Sequence, residues 1–185
     1  MLDKRIPYIE FLMRRNPQNP VPLPERHLPE GYSLAFYTPG DEGAWCRIET
    51  AVGEFASETE AATYFQKNFA PFSDELRQRM MFIVDPEGEK VATCTAWRTE
   101  KQRPLLHWLA VKPEAQQRGV ASYLAVKTTA LLEELHPNQP IELHTQTWSH
   151  QAIGIYEKLG YELIPSTKDY EKGLAILERV VEEAF

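Results

Sequence analysis

Six residues, Gln116 to Ala121 (QQRGVA), lie between an apolar run, Leu105-Leu106-His107-Trp108-Leu109-Ala110-Val111, and a stretch with apolar residues at helical spacing over 120–135. The short run reads as a buried strand and the longer periodic stretch as a helix. A strand led by a glycine-bearing turn into a helix start points to an α/β layout, and it also builds an anion site. The first amides of a helix lack intrahelical acceptors, and the dipole favours negative charge there. Gly119 lets the backbone approach a ligand with no Cβ in between. The turn Gln116, Gln117, Arg118, Gly119, Val120, Ala121 and Ser122 is therefore the candidate cradle for an anionic group.

The surrounding pattern extends this unit in both directions. Residues 32–37 predict a strand, and a helix opens at Asp41 or Glu42 and stops at Gly53. Ser57, with Glu60 three residues on, marks the N-cap of a second helix that ends before Pro71. Strands over 79–84 and 90–97 flank the turn Asp85-Pro86-Glu87-Gly88. After the long helix come a strand over 141–148, a short helix over 152–159 and a strand over 161–164. The tail places Tyr170, Leu174, Leu177 and Val181 on one helical stripe, with a strand near 174–177 as the alternative. Six of the fourteen prolines fall in the first 30 residues. Residues 2–15 read as a short helix limited by Pro7, and 17–29 as an extended arm. The chain thus divides into a Pro-rich arm, 1–30, and a domain, 31–185, and the arm invites a homodimer.

A length of 185 residues suits a sizeable core. The net charge of −7 argues against a nucleic-acid partner, whose phosphates need Lys and Arg. No apolar stretch is long enough for a bilayer, and the N-terminus lacks a signal-peptide pattern, so neither a membrane partner nor secretion is expected and the cytoplasm is. Cys46 and Cys94 have no metal-ligand spacing and read as free thiols; Cys94, on a strand, is the candidate for a catalytic thiol. His144 and His150 have no third ligand placed beside them, and no metal is expected.

Gln116-x-x-Gly119-x-Ala121 resembles the Gln/Arg-x-x-Gly-x-Gly/Ala motif of the GCN5-related N-acetyltransferase (GNAT) superfamily. About thirty residues on, Ser149-x-x-Ala152-x-x-x-Tyr156-x-x-x-Gly160-Tyr161 is similar to that superfamily's Asn-x-x-Ala-x-x-x-Tyr-x-x-x-Gly-Phe/Tyr signature, with Ser149 in place of Asn. The resemblance implies the GNAT fold: a mixed, mostly antiparallel sheet with a central splayed parallel strand pair, flanked by helices. It implies acetyl-CoA as cosubstrate and a small-molecule amine or peptide as acceptor. The cradle would take the pyrophosphate, and Arg118 would add a charge-assisted contact. Leu109, Ala110 and Val111 would pair with the pantetheine like an added strand, one of their amides serving the thioester oxygen. Ser149 and Ala152 would close the cofactor site from the second motif.

Tyr156 matches the superfamily tyrosine that faces the sulfur. A thiol near pKa 8.5 against a phenol near 10 makes full proton transfer uphill by about 1.5 units, roughly 2 kcal/mol, so hydrogen-bond donation is the expected role. His107 lies four residues before Val111, where such enzymes often place a Glu. The stretch Leu106 to Val111 resembles that of the arylalkylamine N-acetyltransferases. An imidazole titrating near neutral pH would accept the amine's proton. Glu49, Glu54, Glu58 and Glu60 cluster around Phe55 and Tyr64 as an acidic, aromatic lip for a cationic acceptor, or as a solvated face. Two rival readings stand beside direct transfer: a non-catalytic acyl-CoA-binding sensor or scaffold, and transfer through Cys94.

Overall fold

The computed structural model describes residues 2–18, 20–165 and 168–182. One seven-stranded sheet runs through the molecule in the order β2-β3-β4-β5-β6-β1-β7. Its strands are β1 (Glu10–Arg15), β2 (Ser33–Phe36), β3 (Met80–Val84), β4 (Lys90–Arg98), β5 (Pro104–Val111), β6 (Ile141–Gln146) and β7 (Tyr161–Ile164). Every neighbouring pair is antiparallel except β5 and β6. That parallel pair is joined in register at Leu105 and Glu142, near the start of both strands, and parts beyond it.

Helices α1 (Glu42–Val52) and α2 (Glu58–Asn68) cover one face, and α4 (Val120–Leu135) and α5 (His150–Lys158) the other. Alternation along the strands feeds two cores. Met80 and Phe82 turn toward Trp45, Ile48 and Phe65, while Met81, Ile83 and Cys94 turn toward Val120, Leu124 and Leu132. Local signals act as the sequence pattern predicts. Gly53 ends α1 at φ +88, and the Ser57 hydroxyl accepts from the Glu60 amide at the start of α2. The Glu60 carboxylate reaches back to the amide of Ala56.

Three elements differ from expectation. Residues 10–15 form a strand, not part of a helix: Phe11, Met13 and Arg15 point inward with period two and insert β1 between β6 and β7. A seven-residue helix, α3 (Ser73–Arg79), follows Pro71, too short to leave a periodic signal. The strand expected over 141–148 ends at Gln146, where a single 3-10 turn leads into α5. The tail is helical, α6 (Tyr170–Glu182), with Tyr170 edge-on to Phe11.

Candidate active site

The central strand is bulged. Thr93 pairs with Ala110 and Thr95 with His107, so Cys94 of β4 faces both Trp108 and Leu109 of β5. Trp108 sits at φ +53, a left-handed conformation that side-chain-bearing residues rarely adopt. A bulge twists its strand and re-aims the residues beyond it. Past the bulge β5 has also lost its pairing to β6, so the β6-facing edge of Leu109, Ala110 and Val111 carries backbone groups outside that ladder.

The turn after β5 completes the site. Gln117 (φ +60) and Gly119 (φ +80) are both left-handed and fold the chain back over the start of α4. No side chain caps that helix, and its first turn holds no acidic residue. A Cβ built on Gly119 would meet nothing within 4 Å. The first amides of α4 thus have no side-chain cap, and the glycine before them leaves room beside the helix start, as an anionic ligand requires. The residues present therefore fit a pyrophosphate at this end.

A cavity of about 310 Å³ joins these parts. Leu109, Ala110, Val111, Gln116, Gln117, Gly119, Val120, Ala121, Ser122, Ser149 and Ala152 all line it. Arg118 does not line it; it is exposed. The Gln116 side chain is occupied, donating to the carbonyl of Val111 at 2.8 Å. Sequence reasoning missed Leu2, Val52, Trp148 and Ile155 as lining residues. Leu2 arrives there because the first residues strap over the site. Lys4 donates to the carbonyl of Gly53, Trp148 to that of Ile6, and Thr147 to that of Pro7.

Tyr156 lies one turn past Ala152 on α5, buried behind the cavity wall and edge-on to Tyr161 at 6.1 Å. Burial holds its phenol far above the ordinary value, with the nearby Cys94, Tyr161 and Glu54 adding to the shift. His107 lies on the other face, between the rings of Phe69 and Trp108. The expectation of an imidazole titrating near neutrality fails here: burial, with His144 adding, pushes it down to about 3. Cys94 fares no better as an acyl carrier. It is fully buried among the residues facing α4, its Sγ lies 3.8 Å from the carbonyl of His107, and burial pushes the thiol up to about 12. A nucleophilic thiolate needs a lowered pKa and access, so the Cys94 route is set aside.

Of the four expected lip carboxylates, Glu58 and Glu60 are exposed at the start of α2, Glu54 lines the cavity and Glu49 is fully buried. Among the described residues no group of three or more His, Cys, Asp or Glu is placed to hold a metal, and no helix is long and apolar enough to cross a membrane.

Comparisons with known proteins agree with this architecture. Residues 44–161 match the Acetyltransferase (GNAT) family. The mycothiol acetyltransferase of Salinispora tropica is 25% identical over 163 residues, covering 83% of this chain and 52% of the relative. That of Streptomyces coelicolor is 27% identical over 161 residues, covering 82% and 50%. The chain therefore spans about half the length of the curated relatives it matches. A GCN5-related N-acetyltransferase from Sphaerobacter thermophilus superposes with a TM-score of 0.66 at 22% identity, over 84% of this chain and 48% of that one. A tandem GNAT protein from the clavulanic acid biosynthesis pathway superposes with a TM-score of 0.62 at 18% identity, over 88% and 52%. With a bulged central strand, a parting parallel pair, an uncapped helix start and a family match over most of the sheet, this chain belongs to the GNAT family of acetyltransferases.

Proposed function

We propose that the chain is an acetyl-CoA-dependent N-acetyltransferase that moves an acetyl group to a primary amine of a small molecule or peptide by direct attack. The observation that carries this reading is a cavity that runs from the uncapped start of α4, past the freed edge of β5, to Ala152 and Ile155 of α5, the helix that carries Tyr156. Acetyl-CoA supplies the activated acetyl group. The amides of Gly119 to Ser122 hold the pyrophosphate, and those of Leu109 to Val111 pair with the pantetheine and polarise the thioester oxygen. Tyr156 stays protonated at every working pH and donates a hydrogen bond that strengthens as charge develops on sulfur. His107, neutral at pH 7, accepts a hydrogen bond from the amine without storing its proton, which passes to water. The two buried free thiols suit a reducing cytoplasm.

The test is calorimetric titration with acetyl-CoA, followed by a thiol-release screen against amines, amino acids and short peptides. Binding with amine-dependent release of CoA supports the reading. Binding with no release across the screen makes the chain a sensor or scaffold, and no binding refutes both.

A further inference from the structure

Residues 2–9 cross the open end of the sheet. β5 and β6 are joined at Leu105 and Glu142 and part beyond, so the cavity between them has two separate walls. Val52 and Glu54, at the end of α1, line it on one side; Trp148 and Ser149, between β6 and α5, line it on the other. Leu2 belongs to neither wall and lines the cavity with them.

The segment is held differently on its two sides. Toward β6 and α5 it carries the pairing of β1 past Gln146 in a close series of bonds. The Thr147 amide donates to the Ile9 carbonyl at 2.9 Å. The Thr147 side chain is fully buried; its hydroxyl accepts from the Ile9 amide at 3.0 Å and donates to the Pro7 carbonyl at 2.6 Å. Nε1 of Trp148 donates to the Ile6 carbonyl at 2.8 Å, and the Asp3 amide to the Trp148 carbonyl at 2.9 Å. Toward α1 the segment reaches with an exposed side chain. The Lys4 ammonium passes over the Trp148 ring, 5.3 Å from its centroid, and donates to the Gly53 carbonyl at 2.8 Å. A bond from the Gln146 side chain to Glu54 crosses the same gap, but at 3.5 Å it is long and weak. Local opening draws on contacts that are few and exposed, so the Lys4 side gives way first.

We propose that residues 2–9 are a gate over the cofactor cavity, hinged at Thr147 and Trp148 and latched by Lys4 on Gly53, which sets how fast acetyl-CoA enters and leaves. This rests on the transferase reading above, which assigns acetyl-CoA to that cavity. Leu2 gives the shut gate an apolar inner face, in a cavity that Val52, Leu109 and Ile155 also line. Both partners of the Lys4 ammonium are protein groups, a carbonyl and an indole. The latch is therefore as strong with the cavity filled as with it empty. An interaction that does not differ between the free and bound states cannot shift the binding equilibrium. It sets only the fraction of time that the gate stands open. Both rate constants scale with that fraction, and their ratio does not.

The experiment follows CoA with a fluorophore on its adenine by stopped flow. Association is read over a range of protein concentrations, and dissociation by a chase with excess acetyl-CoA. Lys4→Met keeps the apolar stem and removes the donor and the charge. Both rate constants should rise about fivefold, the worth of about one net hydrogen bond, while the dissociation constant stays within about twofold of wild type. Thr147→Val loosens the hinge at a residue that does not line the cavity, and should raise both rates as well. If that variant fails to fold, Lys4→Met, altered at an exposed position, decides alone. A rise confined to the dissociation rate would make Lys4 an ordinary binding contact. That result, or any other pattern in which the two rates of Lys4→Met do not rise together, overturns the inference. Wild type that binds neither this probe nor unlabelled acetyl-CoA would instead overturn the transferase reading, whereas firm binding with the same rates in Lys4→Met sinks the gate only.

Discussion

The Gln116 side-chain amide donates to the carbonyl of Val111 at 2.8 Å, tying the end of β5 to the turn that opens α4. The bond holds two separate parts of the proposed cofactor site, the strand edge and the helix start, at a set spacing. Gln116→Ala removes it without touching the cradle amides. A single hydrogen bond contributes about 1 kcal/mol, so the dissociation constant for acetyl-CoA should rise about fivefold. Calorimetry with folded variant and wild type checks this; unchanged affinity would mean that the spacing is held by other contacts.

Gly119 stands at φ +80 with open space where a Cβ would lie. Gly119→Ala therefore meets no protein atom and costs only the left-handed backbone, about 1 kcal/mol. Gly119→Glu adds bulk and negative charge where the pyrophosphate is proposed to sit. Both variants should melt within a few degrees of each other, while only the glutamate loses acetyl-CoA binding altogether. Equal binding by the two would place the anion elsewhere.

Tyr156 is buried and its phenol is held far above the ordinary range. As a hydrogen-bond donor to a sulfur gaining charge, it contributes to the transition state more than to binding. Tyr156→Phe should lower kcat about ten- to a hundredfold, the size of one hydrogen bond to a charged atom, with KM for acetyl-CoA little changed. Since the phenol stays protonated, the wild-type rate should show no fall from its ionisation up to pH 9. A variant with normal kcat would remove Tyr156 from the chemistry.

How far the residues disclose all this varies with the range of the interaction. The β5–turn–α4 unit is legible because a local apolar run, a glycine and a periodic stretch each act within a few residues. β1 is not: Phe11 and Met13 alternate inward, yet the partners that make 10–15 a strand lie at 141–146 and 161–164. The bulge at Trp108 leaves no mark, since tryptophan rarely takes a positive φ and nothing in its type signals one. Glu49 reads as one more charge on a helix until the fold turns it inward.

Arg15 shows how firmly that distant strand is fixed. Its side chain is 4% exposed, and the guanidinium donates to Glu133 at 2.9 Å, to the carbonyl of Val21 at 2.7 Å and to the carbonyl of Leu159. It thus joins β1 to α4, to the proline-rich segment and to the end of α5. Gly160 makes room for it, since a Cβ there would lie 2.9 Å or less from Val21 side-chain atoms and 3.0 Å from the Arg15 guanidinium. Arg15→Leu leaves two carbonyls and a carboxylate short of a donor, at about 3 kcal/mol or more. Urea unfolding should show that loss; a variant as stable as wild type would mean that water replaces the guanidinium.

His107, partly buried, and Glu49, fully buried, oppose each other in their dependence on pH. His107 is pushed from 6.5 down to about 3 by burial, so the unfolded chain takes up a proton that the folded one refuses. Its contribution is complete above pH 6.5 and drains away as pH falls toward 3. Glu49 is raised by burial, with Glu54 adding, so the folded chain keeps a proton that the unfolded one gives up above about 4.5. Its contribution is complete at low pH and is lost as pH rises. His107→Gln should therefore lose less melting temperature than wild type between pH 7 and pH 4, and Glu49→Gln should gain on wild type at pH 8. The rate should show no imidazole inflection near 6.5 in wild type, because no proton is exchanged by His107 there. An inflection that His107→Gln removes would show that cofactor binding or solvent entry restores an ordinary imidazole, and would return the proton-accepting role to this side chain.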